Sequence, residues 1–335
     1  MGRTGRHNAL TDVEGIAVGS FTDRASVSGT TVVLCTAGAV GGVDVRGAAP
    51  GTRETDLLDP VNLVEQVQAV VLSGGSVYGL AAADGVVRWL AAKRCGFPLG
   101  EGCVAPIVPA AVLFDLGRGP AFVPPVGPEW GRRACEAAGA GPVAQGAVGA
   151  GTGALSHSLK GGLGTASERL DAGITVAALM AVNSDGTAVD PRTGRFWEIG
   201  LELDGEFGAA ARRPVKLPPR PATGPGRHTT IGVVATDAVL TKPQANKVAQ
   251  MAHDGLARAI RPAHTMFDGD AIFCLATGSQ PLPEMPGFFP AGPAQAVNEI
   301  GRAAADCVSR AIIHALLQAS SLAGMTAHRD LKELG

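Results

Sequence analysis

Apolar positions fall into two kinds of run along this chain. Short β-branched or apolar runs occur at residues 30–35 (TTVVLC), 69–72, 104–109, 174–182 (ITVAALMAV), 232–236 and 271–276 (AIFCLA), and each reads as a strand. Longer segments at 79–92 (GLAAADGVVRWLAA), 243–260 and 293–319 read as helices. The second opens with a capping-box pattern, Thr241 followed by Gln244, with Pro243 in its first turn. Its apolar stripe (Val248, Met251, Ala252, Gly255, Ala259) is made of small residues, which predicts close packing against a sheet. Strands and helices interleave over the whole length, so the fold class is α/β or α+β.

One junction breaks the rhythm. Residues 212–228 hold five prolines and little aliphatic bulk, and read as an irregular surface segment. The next residues, 230–236 (TIGVVAT), read as a strand buried on both faces. His228–Thr229 therefore lies where exposed chain enters the core, and residues 1–335 read as one domain.

Composition narrows the function. A net charge of −2 without a long basic block argues against nucleic acid and anionic membrane as partners. The run at 174–182 is too short to span a bilayer, and MGRTGRHNALTDVEG lacks the apolar core of a secretory signal, so a cytoplasmic protein is expected. Six cysteines and seven histidines show no metal-ligand spacing, so neither a metal nor a cofactor is expected. GAVGAGTGA superficially resembles a reversed GxGxxG, but no helical pattern follows it; this stretch, SGGSVYGL and KGGLGTAS read as tight turns or as backbone that approaches a ligand. There is no GxSxG elbow.

Several polar residues stand at the ends of apolar strands. Lys160 lies among glycines, Asn183 follows ITVAALMAV, and Asp268 and Asp270 flank Gly269 in MFDGDAIF. Singly, each has an ordinary reading as a loop charge or a turn former. Together with a threonine at a loop-to-strand junction they point to a site.

The stretches RHTTIGVVATDA, HTMFDGDAIFCLATG, HSLKGGLGTAS and VAALMAVNSDG, with LTDVEGIAVG and VDVRGAAPGTRETDLL near the N-terminus, resemble the DmpA-like L-aminopeptidase/D-esterase family. That family includes β-aminopeptidases and nylon-oligomer hydrolases. The resemblance implies a four-layer αββα sandwich of the DmpA/ornithine-acetyltransferase type, and a precursor that cuts itself before a Ser or Thr that becomes the nucleophile. Here that residue is Thr229 and the scissile bond is His228–Thr229, giving an α chain of residues 1–228 and a β chain of residues 229–335. The residue before the cut is often Gly or Asn, so His228 is a variation. The resemblance also places Lys160 beside the nucleophile, makes Asn183 an oxyanion-hole donor, and has Asp268 and Asp270 orient Thr229. Other members carry Ser and Glu at the last two positions, so the Asp pair resembles the nylon-oligomer branch. Phe114 stands where a tyrosine often lines the substrate pocket. A homotetramer of cut protomers acting on a small peptide or amide with a free amine is implied.

The chemistry suits these residue types. The α-amine of an N-terminal threonine can take the hydroxyl proton, because its reference pKa of about 7.7–8.0 leaves it partly neutral near pH 7. A lysine cation nearby holds that pKa down, and an asparagine amide can donate to a developing oxyanion. Two carboxylates one residue apart in an extended segment point the same way and can bind both Lys160 and the Thr229 ammonium. Aminopeptidase and 6-aminohexanoate-oligomer endohydrolase activities both remain open. More distant alternatives are ornithine acetyltransferase-like acyl transfer and an uncut binding protein.

Overall fold

The structure is a computed structural model that describes residues 2–219, 228–283 and 292–334. Its strands form where β-branched and small apolar residues run together. In chain order those of the main sheet are β1 (Ala17–Asp23), β2 (Ser28–Val45), β3 (Thr52–Arg53), β4 (Gln66–Ser73), β5 (Ala110–Val112), β6 (Gly162–Arg169), β7 (Thr175–Asn183), β8 (Thr229–Ala238) and β9 (Ala271–Gln280). Hydrogen bonding orders them β6-β7-β8-β9-β2-β4-β5-β3, with β1 also paired to β2. The β8–β9 and β4–β5 pairs are parallel and the others antiparallel.

The long strand β2 belongs to both halves of this sheet. Its first part, through Leu34, pairs with β1 and β4, the β4 pairing resumes at Ala39 and Val40, and the second part, from Val40 to Val45, pairs with β9. The register shifts between Leu34 and Ala39, where Gly38 adopts φ 90°, a left-handed value that favours glycine. There the sheet doubles over. Val33, Val70 and Leu72 of one half pack in a single core with Leu179, Val233 and Phe273 of the other. Alternate residues face outward (period two), as pleating requires. Ala178, Met180, Val234 and Cys274 meet the helices α4 (Lys242–Ala259) and α5 (Gly292–Gln318). Val32, Leu34, Ala69 and Val71 meet α1 (Ala82–Ala92) and α2 (Pro128–Glu136). A further short helix, α3 (Gly208–Arg212), adds Ala211 to the core shared with α4 and α5. The layers run helix, sheet, sheet, helix, in agreement with the expected αββα arrangement.

Some elements differ from the sequence reading. Residues 104–109 are not one strand, because Pro106 and Pro109 withdraw backbone donors. Cys103–Ala105 pairs instead with Phe97–Gly100, and the sheet takes up Ala110–Val112. The segment 79–92 begins as a 3-10 turn (Ser76–Ala81) and becomes α-helical only at Ala82. The predicted cap of α4 is present, with the Thr241 N–H donating to Gln244 Oε1 at 2.8 Å. The proline-rich segment extends into residues 220–227, outside the described residues.

Small residues set the helix spacing. A Cβ at Gly255 of α4 would lie 1.9 Å from the Ala305 carbonyl oxygen of α5, and one at Gly164 of β6 would lie 2.1 Å from that of Ala311. Gly255→Ala is therefore expected to force the helices apart and cost about 1–3 kcal/mol in denaturant unfolding. Gly200→Ala, where a Cβ meets nothing within 4 Å, is the control and should change stability by under about 0.5 kcal/mol. Equal stabilities for the two variants would refute the close-contact account.

Candidate active site

Three strand ends meet at one edge of the sheet. β7 ends at Asn183, and Thr229, the first residue of β8, stands opposite it in the antiparallel register. Because β8 and β9 are parallel, their starts lie side by side, and His228 bridges to Asp268. The topology thus gathers Asn183, the junction His228–Thr229 and Asp268-Gly269-Asp270.

Thr229 is buried, and its Oγ1 donates to the carbonyl oxygen of His228. Gly269 stands against this hydroxyl: a Cβ there would lie 2.8 Å from Thr229 Oγ1. A side chain between the two aspartates would crowd the threonine, which explains why glycine separates them. The backbone of this segment is held from behind by residues 46–49. Arg46 and Gly47 donate to the Asp270 carbonyl at 3.0 and 3.2 Å, and Ala49 donates to that of Asp268 at 2.9 Å.

The two carboxylates have separate tasks. Asp270 Oδ1 accepts the Thr230 N–H at 2.8 Å, which fixes the backbone just after Thr229. Its Oδ2 accepts the His264 N–H at 3.2 Å and lies 2.8 Å from His264 Nδ1, which acts as donor when Asp270 is ionised. Asp268 Oδ2 accepts from the N–H and the hydroxyl of Thr265 at 2.8 and 2.6 Å, and its Oδ1 faces the Asp185 N–H at 3.4 Å. Burial, and next the like charge of Asp270, pushes the Asp268 carboxyl above the usual carboxylate range. The His264 ring also meets the His253 ring edge-on at 4.9 Å, and burial takes His253 down to about 4.

Asn183 Oδ1 accepts the Leu155 N–H at 2.9 Å, and its Nδ2 donates to the Phe114 carbonyl at 3.2 Å. Phe114 is half-buried and enters the site through that backbone oxygen.

Lys160 departs from expectation. Its Nζ donates to the carbonyls of Gly151, Ala154 and Gly161 at 2.9, 3.0 and 2.8 Å. All three N–H bonds are spent on backbone, so the ammonium is not bonded to Asp268, Asp270 or Thr229. The reason is local: glycine-rich turns bury carbonyls that need a donor. Lys160 also pairs in register with Leu155, whose N–H holds Asn183. Lys160 is thus tied to the loop that orients Asn183. Burial pushes its amine down to about 7; Asp115 opposes this and Arg118 adds to it.

Sequence reasoning did not single out Asp115, His264, Thr265 or the carboxylate of Asp185 as site residues. The available signal was position: His264 and Thr265 immediately precede the Asp268-Gly269-Asp270 turn, and Asp115 adjoins Phe114. Among the described residues no group of three or more His, Cys, Asp or Glu side chains is placed to hold a metal. No described helix is long and apolar enough to cross a membrane. A cavity of about 610 Å³ lies at the other end of β6 and β7, lined by Glu168, Ile174, Leu201 and Arg302, so it is no part of this constellation.

Asp115 gives this region a pH signature. Its oxygens accept from Gly75 N–H at 2.6 Å and Ser28 Oγ at 2.7 Å, yet burial pushes it up to about 6. A folded-state pKa above the unfolded one means that the folded protein holds an extra proton. That contribution is fully present below about pH 4 and is lost as pH rises through 6. Between those values wild type should lose about 2–3 kcal/mol relative to Asp115→Asn in denaturant unfolding. Parallel pH profiles for the two proteins would contradict the assignment.

Comparison with known proteins identifies the family. Residues 8–330 match Peptidase family S58. The chain is 48% identical to an uncharacterized aminopeptidase of Mycobacterium bovis over 342 aligned positions, covering 97% of this chain and 98% of the relative. It is 31% identical to a 6-aminohexanoate-oligomer endohydrolase of a Kocuria species, covering 85% of this chain and 79% of that enzyme. A Burkholderia β-aminopeptidase superposes with a TM-score of 0.72 at 26% identity, over 98% of this chain and 92% of its own. The L-aminopeptidase D-Ala-esterase/amidase of Ochrobactrum anthropi, described as a variant of the Ntn-hydrolase fold, superposes with a TM-score of 0.72 at 21% identity, over 99% and 92%. With nearly the whole chain matched and the fold shared, the protein belongs to peptidase family S58 and is a hydrolase of that family.

Proposed function

We propose that this hydrolase is made as a precursor, cuts itself at His228–Thr229, and then uses Thr229 as an N-terminal nucleophile on amides that carry a free amine. The observation that carries the reading is the contact between Thr229 Oγ1 and the carbonyl of the residue before it. A hydroxyl held there, at a buried strand start, is poised for an N-to-O acyl shift. The Oγ1–C bond forms, the C–N bond breaks, and the hydroxyl proton ends on the departing nitrogen. Water then hydrolyses the ester, leaving a carboxylate at His228 and a free amine at Thr229.

The freed amine is the base that the peptide nitrogen was not. It takes the Oγ1 proton when a substrate amide arrives and passes it to the leaving amine. Asn183 lies across from Thr229 in register and supplies an amide group near the developing oxyanion. Asp270 holds the backbone at Thr230, so its carboxylate positions the nucleophile. The names of the relatives support peptide and amide substrates, including 6-aminohexanoate oligomers.

Mass spectrometry tests the cut. The purified protein should resolve into two pieces, the smaller beginning Thr-Thr-Ile-Gly, and Thr229→Ala should stay whole. A cut elsewhere, or one that persists in Thr229→Ala, would end this reading.

His264 offers a second test. His264→Leu removes the donor to Asp270 Oδ2 and should lower kcat about 10- to 100-fold, the range of a hydrogen bond to a charged group. His264→Asn can place an amide N–H where Nδ1 stands, and asparagine tolerates the φ of 56° found there. It should recover most of the loss. Wild-type kcat in the leucine variant would remove His264 from the catalytic unit.

A further inference from the structure

The precursor holds its own first substrate, and from that fit we infer that Asp185 is the specificity-determining carboxylate for the acyl group, selecting substrates with an ammonium four or five carbons from the scissile carbonyl. The inference rests on the self-cleavage reading above.

The same hydroxyl attacks His228–Thr229 and every later amide, so the acyl carbon occupies the same place each time. In the structure that carbon belongs to His228. Its side chain therefore marks where the substituent of a later acyl group will lie. That side chain is buried, and its Nε2 is 3.3 Å from Asp185 Oδ1.

Asp185 sits on a fixed turn. Its N–H faces Asp268 Oδ1 at 3.4 Å, and its carbonyl is 3.1 Å from His157 Nδ1. Ser184 Oγ donates to the Gly186 carbonyl at 2.8 Å. A Cβ at Gly186 would lie 2.0 Å from the Pro262 carbonyl, so this turn is pressed against its neighbour. The carboxylate is thus held by rigid backbone at a set distance from the bond to be cut.

Covalent structure then decides which amine fits. In His228, Nε2 is separated from the carbonyl carbon by Cα, Cβ, Cγ and Cδ2. The δ-amine of an ornithyl or 5-aminopentanoyl group is separated by four carbons as well. A lysyl or 6-aminohexanoyl amine has one methylene more, which a bent chain absorbs. An α-amine is separated by Cα alone and falls short of the carboxylate by roughly 3–4 Å. Asp185 therefore selects ω-aminoacyl or basic aminoacyl groups over small α-aminoacyl groups. When His228 leaves after the cut, an incoming ammonium can take the place beside Asp185 Oδ1 that the imidazole Nε2 held.

The test uses full-length protein incubated until mass spectrometry shows complete cutting. Hydrolysis of the p-nitroanilides of 6-aminohexanoate, hexanoate, ornithine and alanine is then compared. Wild type should favour 6-aminohexanoyl over hexanoyl, and ornithyl over alanyl, by about 10- to 100-fold in kcat/KM, chiefly through KM. Asp185→Asn should bring both ratios close to one, with rates normalised to cut protein, and Asp185→Glu should keep the preference. Asp185→Asn removes the partner of His228 and can slow cutting, so wild type is also inhibited with 6-aminohexanamide and hexanamide. Stronger inhibition by the amine-bearing amide supports the assignment, and equal inhibition overturns it. Cut, active protein without an amine preference would defeat only this inference. Protein that never cuts at Thr229 would defeat the reading beneath it.

Discussion

The parallel pairing of β8 with β9, next to the antiparallel pairing of β7 with β8, is the constraint on which the site depends. Parallel neighbours start at the same edge, and an antiparallel neighbour ends there. Three segments distant in sequence therefore deliver Asn183, Thr229 and the aspartate pair to one place. A slip of one residue in β8 would turn Thr229 to the other face and exchange the residues that fill the two cores. Both faces of this strand are packed, by Ile231 and Val233 on one side and Val234 on the other. The register that builds the core is thus the register that builds the site.

Much of this was legible in the sequence, and what was not has physical causes. The α4 cap and the strands at 174–182 and 271–276 follow from local chemistry, and the structure has them. The second part of β2 did not read as a strand, because Gly38, Gly41 and Gly42 interrupt its β-branched pattern. Those glycines serve close contacts, as at Gly42, where a Cβ would lie 2.6 Å from α4 backbone. β6 was hidden in the same way by the glycines that let α5 lie against it. Of the site, the residue types were readable but the partners were not. Nothing local to Lys160 says that its amine will meet three carbonyls. Likewise, nothing in HTMFDGD says that His264 will turn back onto Asp270, because these pairings are made by loops whose course depends on the whole sheet.

The site also shows how a protein keeps charge in a dry place. Lys160 is fully buried with no carboxylate in hydrogen-bond contact, and its charge is met by carbonyl dipoles while Asp115 acts at longer range. Asp115 is met in turn by a backbone N–H and a serine hydroxyl. Neutral dipoles of fixed orientation replace water around each group, which is the condition under which a buried polar network rigidifies its surroundings. Here the surroundings are the loops that hold Asn183 and the Phe114 carbonyl.

The doubling of β2 into both halves of the sheet has a consequence for how the molecule comes apart. β8 and β9 lie between β7 and β2, so residues 229–280 supply two inner strands of a sheet whose flanking strands come from residues before 228. A chain cut at His228–Thr229 would remain interlocked through two full strand pairings. Its smaller piece could leave only if both pairings, β7–β8 and β9–β2, opened together. Refolding would then require two molecules to meet, so recovery after heating would depend on protein concentration and fall off on dilution. Before the cut the same reassembly is unimolecular. Self-cleavage would therefore convert a fold that can be regained at any concentration into one that persists chiefly because it opens slowly.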